Sequence, residues 1–490
     1  MLLYNAKYKI FKELNFMSEI KNLFKNSSWM MISQLITSIC GFVWTILIAR
    51  YLGASDFGIL SFAISFASIM NILLDLGVGT YATRDISRDH NLVNEYLGKL
   101  IPLKIILSIF IMIVSLFILI LMGKTYLSII VTCILMIEAI FISMSNILQG
   151  VFQAFGKIKY QAIGMVINSL LLLFFVFLTI YFKLGLIFIA GFYAFTYLVM
   201  CLYLYRNVLK HITFPKFSID FNFCKKAIKL SIPFALTGFF YTIYFSIDTV
   251  MLSYLSGNYA TGIYNASYKI ITVLTTFFPV YQTVVFPLMS KLFEGSKDLL
   301  KLSYIKSVKY LLLIIMPITF GIVLYATPLV TLIYGNGYLN SSSVMQVLVW
   351  TVSFLFVNGA ASTLLNASNK EVSVTKIYCS AAITNVVLNL ILIPVYSYHG
   401  AAIATVLSEI LICFLMIYVV KDTPYCPDKS IFKDIIKIIL ASVIMFSVLY
   451  FSHLNMWFGI IVGIIIYSVC ILGFKTLDNN DKSLIHEIIK

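Results

Sequence analysis

The chain has 490 residues, of which 61% are hydrophobic and only 11% are charged, and its mean hydropathy is +0.98. A soluble protein of this length would carry about a quarter charged residues and could not cover so much apolar surface. The composition excludes a soluble globular protein and predicts an integral membrane protein. The formal net charge of +15 then indicates basic cytoplasmic loops rather than a nucleic-acid partner.

Fourteen apolar segments along the chain are long enough to cross a bilayer, whose hydrocarbon core of about 30 Å requires about 20 helical residues. We therefore predict an all-α integral membrane protein with about 14 transmembrane helices. The segments lie at about 28–49, 57–80, 100–122, 126–150, 161–181, 185–205, 230–255, 261–288, 307–326, 343–366, 374–396, 400–420, 432–452 and 456–474.

Basic residues are distributed unevenly between successive connections. If the N-terminus is cytoplasmic, nearly all of the 35 Lys and Arg residues fall in cytoplasmic segments, whereas the outer connections contain only Arg50, Lys124 and Lys183. An excess of Lys and Arg marks the cytoplasmic side of membrane proteins. This bias predicts a multi-pass protein of the plasma (cytoplasmic or inner) membrane with both termini in the cytoplasm.

The chain contains two similar halves. The stretch ARYLGASDFGILSFAISF at 49–66 aligns with LSYLSGNYATGIYNASYK at 252–269. The alignment matches Tyr51-Leu52 to Tyr254-Leu255 and Gly58-Ile59 to Gly262-Ile263. Two weaker matches keep similar offsets, between about 203 and 215 residues, and they pair 148–160 with 364–374 and 181–195 with 395–409. Because six spans is an even number, both halves enter the membrane in the same orientation. Parallel repeats of this kind are typical of transporters, with a substrate pathway between two helical bundles.

The repeat predicts the domain organisation. The largest connection, near 206–229, is basic and contains a proline; we interpret it as an ordinary connector, with a partner or anionic-lipid site as the alternative. The expected parts are a cytoplasmic N-terminal tail (1–27), an N-terminal six-helix bundle (28–206), a cytoplasmic linker (207–229), a C-terminal six-helix bundle (230–420), and helices 13 and 14 with a cytoplasmic C-terminal tail (421–490).

Two charged residues lie inside neighbouring spans. Asp248 precedes the outer end of the seventh span and Lys269 follows the outer start of the eighth, so both lie about 10–12 Å deep at a rise of about 1.5 Å per residue. Charges at such depth usually face a bundle interior and are often paired. We expect Asp248 and Lys269 to compensate each other, either as part of a substrate-binding site or as a structural pair that joins two helices.

Further charged residues are candidates for ion coupling or substrate entry. Glu138 and Glu409 lie near the middle of their spans, where a carboxyl group either binds a proton or Na⁺ or stays neutral and hydrogen-bonded between helices. Asp75 lies low in the second span and is a third coupling candidate. Arg84 and Arg88 follow it closely, and this cluster is expected at the cytoplasmic mouth, as a phosphate-binding entrance or as ordinary loop charges.

Several sequence motifs along the chain resemble those of a known family. They are RYLGASDFG at 50–58, DLGVGTYATRDISRD at 75–89, VFPLMSKL at 285–292, and ITNVVLNLILIPVYSYHGAAIATVLSE at 383–409. Together with 248–270, they resemble the Wzx-type polysaccharide-biosynthesis or O-antigen flippases of the multidrug/oligosaccharidyl-lipid/polysaccharide exporter superfamily. The resemblance covers residues from about 20 to 475. It implies a MATE-like fold of two six-helix bundles plus two C-terminal helices, and members commonly carry a cation at the position of Lys269.

The resemblance also implies a function. The expected activity is movement of an undecaprenyl- or dolichyl-pyrophosphate-linked oligosaccharide to the outer leaflet by alternating access, for cell-surface polysaccharide or glycan assembly. Expected partners are this lipid-linked oligosaccharide, membrane lipids and a glycan polymerase or glycosyltransferase, and the protein is expected to be a monomer. No cofactor is expected beyond a coupling ion, H⁺ or Na⁺.

Other functions are less consistent with the sequence. The GKT at 123–125 lacks the preceding glycine of a P-loop, and no loop is large enough to host an active site, so we do not expect an enzyme. A cation-coupled multidrug exporter and a lipid II-type flippase of the same fold remain alternatives, as does, least favoured, a membrane enzyme of glycan assembly. An anionic headgroup requires positive cavity walls, whereas a cationic drug requires carboxylates.

Overall fold

The computed structural model describes residues 2–428 and 430–477, so the end of the expected C-terminal tail, 478–490, lies outside the described residues. Within the described part the chain is all-helical, with no β-strand. Short 3₁₀ turns lie at His90–Leu92 and Asn336–Tyr338. The α-helices are α1 (Leu2–Asp75), α2 (Val78–Arg88), α3 (Val93–Leu121), α4 (Tyr126–Ala154), α5 (Ile158–Tyr181), α6 (Leu186–His211), α7 (Phe221–Leu255), α8 (Gly257–Thr275), α9 (Phe277–Gly295), α10 (Lys297–Tyr334), α11 (Ser341–Ala367), α12 (Glu371–Lys421), α13 (Ser430–Ser452) and α14 (Met456–Gly473).

Three of these helices contain a residue with a non-helical backbone, namely α1, α10 (at Tyr325) and α12, and the two longest of the three are long enough for two crossings each. In α1, Gly53 has φ 73° and ψ 173°, a conformation that glycine adopts without the steric penalty of a Cβ atom. In α12, Ser397 has φ 51° and ψ −130°, and Pro394 lies just before it; a proline inside a helix removes a backbone hydrogen bond. Each long helix is therefore two successive membrane crossings.

The helices account for the fourteen predicted spans. Eleven helical segments among the described residues are long and apolar enough to cross a membrane, including the broken segments Ser28–Asp75 (48 residues) and Glu371–Lys421 (51 residues). Each of these is more than twice the length that one crossing requires. Counting both as two and adding the 35-residue α7 gives the predicted number. Two boundaries differ: the second span ends at Asp75, before the separate helix α2, and the eighth is divided between α8 and α9.

The described chain forms two compact units. Among the described residues, the first unit comprises 2–52 and 59–246, and the second comprises 53–58 and the residues from 247 to 477. The core of the first unit joins α2, α3, α4 and α6 through fully buried side chains such as Leu97, Phe152 and Leu204. In the second unit, α10, α11 and α12 bury many small residues, including Ala360, Ala401 and Ala404. Small side chains let membrane helices approach closely.

Two glycines that the sequence repeat aligns with each other are in reciprocal contact in the second unit. A Cβ atom on Gly58 would lie 1.8 Å from the carbonyl oxygen of Asn258, and one on Gly262 would lie 1.8 Å from that of Ala54. Each glycine thus contacts the residue four positions before its counterpart. A reciprocal contact of this kind is the signature of a local twofold relation, and it requires glycine on both helices.

Candidate functional site

A buried polar cluster of the second unit surrounds Asp248, whose exposed fraction is 3%. Asn389 Nδ2 donates to Asp248 Oδ1 at 2.5 Å. Thr405 Oγ1 and Tyr264 Oη donate to Asp248 Oδ2 at 2.8 and 3.0 Å. All of these partners are neutral. A buried carboxylate that has neutral partners alone is costly as an anion, so this group requires a proton or a bound cation.

The neighbouring amides leave oxygen and nitrogen atoms without partners. Asn389 Nδ2 also donates to Asn385 Oδ1 at 3.0 Å, whereas Asn389 Oδ1 and Asn385 Nδ2 are buried without a hydrogen bond. The oxygen and nitrogen of an amide are assigned from the hydrogen-bond network. Rotation of the Asn389 amide would turn its oxygen toward the Asp248 carboxylate, an arrangement that a small cation between the two would stabilise.

The Thr405 hydroxyl has a second possible acceptor in the backbone of α12. Thr405 Oγ1 lies 2.9 Å from the carbonyl oxygen of Ala401, shortly after the break at Ser397. A hydroxyl has one proton, so the Thr405 hydroxyl that donates to Asp248 is not available to Ala401 at the same time. Carboxylate, amide and hydroxyl oxygens, which meet around Asp248, are ligands that hard cations such as Na⁺ prefer.

The expected pairing between Asp248 and Lys269 is wrong. Within the described residues, Asp248 has the neutral partners given above, and no ion pair joins it to Lys269. The reason is the helical geometry of α8. Tyr264 faces Asp248, and a residue five positions later is rotated by about 140° around the helix, so Lys269 points in a different direction.

Lys269 is therefore a cation inside a membrane helix without a carboxylate partner in the described part of the chain. Its side chain is partly exposed, and its backbone carbonyl accepts a hydrogen bond from Thr272. A charge within a membrane segment marks a functional site unless it is paired. An unpaired, partly exposed ammonium group is suited to an anionic ligand.

The first unit contains a buried ion pair that sequence reasoning did not find. Lys104 on α3 is 1% exposed, and its ammonium group donates to Asp75 Oδ1 at 2.5 Å and to the carbonyl and hydroxyl oxygens of Ser143 at 2.8 Å each. These three acceptors satisfy the three N–H groups of lysine. Asp75 was a coupling candidate in a cluster with Arg84, but the structure gives it Lys104 as its cationic partner.

A second buried lysine occupies the corresponding place in the other half of the chain. Lys309 on α10 follows Lys104 by about 205 residues, within the range of the repeat offsets, and is 2% exposed. Its ammonium lies 3.4 Å from Asp434 Oδ2 on α13. The positions equivalent to Asp75, at 279 and 280, are Pro and Val. Helix α13, which lies outside the repeat, thus provides the carboxylate.

The two midspan glutamates have different environments. Glu409 is 4% exposed and accepts a hydrogen bond from Asn358 Nδ2 at 2.7 Å. Glu138 is 7% exposed and lies near Tyr193 and Tyr197 of α6. Among the described residues, Glu138 has no cationic partner. Both carboxyl groups are therefore compatible with proton binding, and Glu138 has the fewer polar contacts of the two.

Arg84 and Arg88 both lie on the short helix α2, and Arg84 is part of a polar cluster. Arg84 Nε donates to Asp85 Oδ1 at 3.0 Å, and its guanidinium lies 5.1 Å from the ring centre of Tyr81. Tyr96 Oη donates to Asp85 Oδ2 at 2.7 Å. Partial burial raises the pKa of Asp85, but the hydrogen bonds from Tyr96, Arg84 and Tyr81 outweigh it and hold this pKa below its usual value. Asp85 therefore remains an anion that orients Arg84.

An apolar cavity lies in the second unit between α10, α13 and α14. Gly321 and Ile322 line it on one side and Met445 and Gly463 on the others. Gly459 lets the Tyr325 hydroxyl approach α14, since a Cβ atom at this glycine would lie 1.9 Å from it. The lining is suited to a hydrocarbon chain. In the described residues, no group of three or more His, Cys, Asp or Glu side chains is arranged to hold a metal ion.

Comparison with known proteins identifies the family of this chain and solved structures that share its fold. The family model described as "Polysaccharide biosynthesis protein" matches residues 23–293, more than half of the chain. Among solved structures, the inward closed conformation of the lipid II flippase MurJ superposes with a TM-score of 0.77 at 18% identity, covering 90% of this chain and 97% of that one. An inward-facing multidrug resistance MATE family transporter of the MOP superfamily gives a TM-score of 0.64 at 16% identity, covering 80% and 96%. Such low identities show a shared fold.

Three relatives show the range of similar proteins. The capsular polysaccharide biosynthesis protein CapF of Staphylococcus aureus is 21% identical over 79% of this chain and 96% of its own length. The probable low-salt glycan biosynthesis flippase Agl15 of Haloferax volcanii is 22% identical over 55% and 57%. The uncharacterised membrane protein MJ1068 of Methanocaldococcus jannaschii is 26% identical, and this chain spans only half of the length of that protein.

The fold and the helices define a multi-pass integral membrane protein with the architecture of MurJ and the MATE transporters. The chain belongs to the family described as polysaccharide biosynthesis proteins, whose model matches more than half of it. The resemblance that the sequence phrases indicated is confirmed.

Sequence reasoning missed Tyr264 and Thr405 at the Asp248 site and Lys104 beside Asp75. A usable signal was present in the spacing, because Asn385 and Asn389, like Ala401 and Thr405, lie four residues apart and so share a helix face.

Proposed function

We propose that the protein is a flippase that moves a polyprenyl- or dolichyl-pyrophosphate-linked oligosaccharide from the cytoplasmic to the outer leaflet, for cell-surface polysaccharide or glycan biosynthesis. Membership of the polysaccharide biosynthesis family supports this function. So do the names of the relatives, which include a probable glycan flippase and a putative O-antigen transporter of Shigella dysenteriae. Transport rather than catalysis is the activity that these relatives suggest.

The observation that carries the proposal is the location and surroundings of Lys269. This ammonium lies within a membrane helix, is partly exposed and has no carboxylate partner among the described residues. A pyrophosphate carries negative charge that a lysine binds as a point cation. We assign Lys269 to the lipid pyrophosphate, and Arg84 and Arg88 to its first encounter at the cytoplasmic mouth, while Asp248 serves the coupling ion instead of the substrate.

A small cation is the proposed energy source. The oxygen atoms around Asp248 and the unpartnered amide oxygen of Asn389 favour this site for H⁺ or Na⁺. Binding there neutralises the carboxylate, and release exposes a buried anion. Helices that line the site are thus more stable in one arrangement with the ion and in another without it. Glu138 and Glu409 are secondary proton sites in this proposal.

The carboxylates are less suited to an organic cation. A multidrug exporter of the same fold requires acidic groups that a bulky ligand can contact. Asp248, Glu138 and Glu409 are between 3% and 7% exposed, so a proton or a bare metal ion reaches them far more readily than a drug. Burial of these three groups favours the flippase over the exporter.

Alternating access is the proposed mechanism, carried out by two six-helix bundles at 28–206 and 230–420. The sequence repeat and the reciprocal contact of Gly58 and Gly262 support it. Helices related by a local twofold axis can pack together on one side of a pathway while they separate on the other side. The apolar cavity between α10, α13 and α14 suits the lipid chain. We further propose a cytoplasmic membrane location with both termini in the cytoplasm, a monomeric state, and cooperation with a glycan polymerase or glycosyltransferase.

The test is a leaflet assay in proteoliposomes with a short pyrophosphate-linked oligosaccharide lipid. We expect translocation by the wild-type protein, its loss in Lys269→Ala and partial recovery in Lys269→Arg, which keeps the charge. Lys421→Ala, at an exposed lysine of the same unit, is the matched control and should behave as wild type. Export of organic cations without lipid movement by the wild-type protein would contradict the proposal.

A further inference from the structure

The connection between α6 and α7 exposes an unusual number of large apolar side chains. Residues 212–220 form no helix, and we call residues 213–221 the strap. Phe214, Phe217, Ile219 and Phe221 are 73%, 55%, 60% and 77% exposed. Large apolar groups so close together on a surface usually mark a contact with a membrane or a partner.

The strap is fixed on the first turns of α3. The Ser218 amide donates to the carbonyl oxygen of Gly98 at 3.1 Å. Gly98 makes this approach possible, since a Cβ atom there would lie 2.2 Å from the carbonyl oxygen of Lys216. The Lys99 ammonium pairs with Asp220 Oδ2 at 3.0 Å. The backbone is thus held in one register, and the apolar side chains are presented outward.

The two ends of the strap are also held. Thr213 Oγ1 donates to Asn94 Oδ1 at 2.5 Å, and Asp220 caps α7 by accepting a hydrogen bond from the Phe223 amide at 3.0 Å. A segment tied at its start, middle and end loses little conformational entropy on binding. The strap is therefore a preformed surface.

The attachment points place the strap at the boundary of the bilayer. It contacts residues 94–99, and the apolar part of α3 begins directly after them, at about residue 100. The membrane helix α6 ends beside it and α7 starts there. Apolar side chains at this level reach the boundary between headgroups and acyl chains, where phenylalanine is commonly found on interfacial segments.

Basic residues accompany the apolar ones. Lys216 lies in the strap, and Lys225, Lys226 and Lys229 lie in the first turns of α7; all four are exposed. Clusters of lysine next to membrane helices attract anionic lipid headgroups. A protein partner would not require this combination of lysines with phenylalanines at the depth of a bilayer surface.

We propose that the strap is a membrane anchor, which inserts Phe214, Phe217, Ile219 and Phe221 into one leaflet and uses the adjacent lysines to favour anionic phospholipids. The anchor fixes the connection between the two repeated halves of the chain to the bilayer surface. It is independent of the substrate and of the coupling ion.

The experiment places a tryptophan in the strap of the full chain. Phe217→Trp and, separately, Ile219→Trp are reconstituted in nanodiscs that contain phosphatidylglycerol brominated in the acyl chains, and the emission of the four native Trp residues is subtracted with wild-type protein. Asn91→Trp, at an exposed site of the nearby 3₁₀ turn, is the matched control. We expect blue-shifted emission and at least twofold quenching for both strap variants and neither effect for the control.

Charge dependence is measured in the same variants. Replacing brominated phosphatidylglycerol by equally brominated phosphatidylcholine should reduce the quenching of the Phe217→Trp variant. Changing Lys216, Lys225 and Lys226 to Gln in that variant should reduce it as well, because the attraction to anionic headgroups is weakened. The control is a second triple change to Gln, which should leave the quenching unaltered, at three exposed lysines elsewhere: Lys291, Lys297 and Lys421.

Two results would overturn parts of the proposal. Water-like, unquenched emission from both strap variants would overturn the anchor and leave the surface to a protein partner. Equal quenching in both lipids and in the strap triple variant would overturn the role of anionic lipid.

Discussion

Each unit of the molecule holds an aspartate within its membrane helices, and the two are neutralised differently. Asp75 in the first unit is paired with Lys104, a fixed cation that belongs to the protein. Asp248 in the second unit has amide and hydroxyl partners alone. A carboxylate with a permanent counter-ion has no need of a mobile one. The comparison therefore separates a structural charge from a site that can bind and release an ion.

The two repeated halves share some of these buried polar residues and differ in others. The buried lysine is kept in both halves, as Lys104 and Lys309. The polar residues around Asp248 are not kept, because the positions of the first half that correspond to Asn389 and Thr405 are Phe175 and Gly191. The repeat thus keeps a buried lysine in both halves, whereas the residues of the proposed ion site are present in the second half alone.

The largest expected effect is on stability, in the first unit. Asp75→Asn leaves Lys104 as an unpaired buried cation, which costs about 3–5 kcal/mol. The double variant Asp75→Leu with Lys104→Met removes both charges and should recover most of this loss. Thermal unfolding of the purified protein in detergent measures both. If Asp75→Asn is as stable as wild type, the pair is not structural and the comparison fails.

The next effect is on coupling, in the second unit. Asp248→Asn keeps the size of the side chain but removes the charge that binds a cation. A potential of 100 mV is worth about 2.3 kcal/mol per transported charge, so loss of one coupled ion should reduce the steady-state leaflet ratio of the substrate by up to about 50-fold. The stability of this variant should stay close to wild type or rise, because a costly buried carboxylate is gone. A leaflet ratio that is unchanged would mean that the ion binds elsewhere.

A smaller effect tests whether α13 completes the charge framework of the second half. Asp434→Asn removes the carboxylate beside the buried Lys309 and should destabilise the protein by about 1–3 kcal/mol. The exposed pair between Lys301 and Asp428, which joins the same two regions with Asp428 68% exposed, is the matched control. Asp428→Asn should change stability by about 0.5 kcal/mol or less. Equal effects of the two substitutions in thermal unfolding would show that burial of the pair is unimportant.

The smallest expected effect concerns the Asp220 carboxylate and the hydrogen exchange of the strap that it holds. The hydrogen bond from the Phe223 amide and the ion pair with Lys99 hold the pKa of Asp220 below its usual value. The stabilisation is present above the unfolded pKa of about 3.9 and is lost as the pH falls through the lower, folded pKa. Hydrogen exchange of the Ser218 amide, corrected for its intrinsic rate, should thus be constant between pH 7 and 5 and accelerate only in stronger acid. In Asp220→Asn it should be faster than in wild type at pH 7, with no further acceleration from this group in acid.

The sequence predicted the membrane class, the number of spans and the family, since hydropathy and loop charge act over whole segments. It also predicted the correspondence of Gly58 with Gly262, which the structure shows in contact. It did not predict the partners of Asp248, because these come from α8 and from both parts of α12, and the depth of a residue does not specify the side of a helix that it occupies. The pairing of Lys104 with Asp75 was not predicted either, because it depends on how α3 packs against the end of α1.

Ion coupling through Asp248 is tested by following lipid movement and ion flux in the same vesicles. Proteoliposomes with an imposed Na⁺ or H⁺ gradient would be loaded with a pyrophosphate-linked oligosaccharide lipid, and leaflet exchange and cation flux would be recorded together in wild type and Asp248→Asn. We predict that a gradient of one of the two cations accelerates lipid movement, that its flux is proportional to the lipid moved, and that Asp248→Asn abolishes this proportionality. Lipid movement that is independent of both gradients, or equally coupled in Asp248→Asn, would contradict the assignment of the ion site.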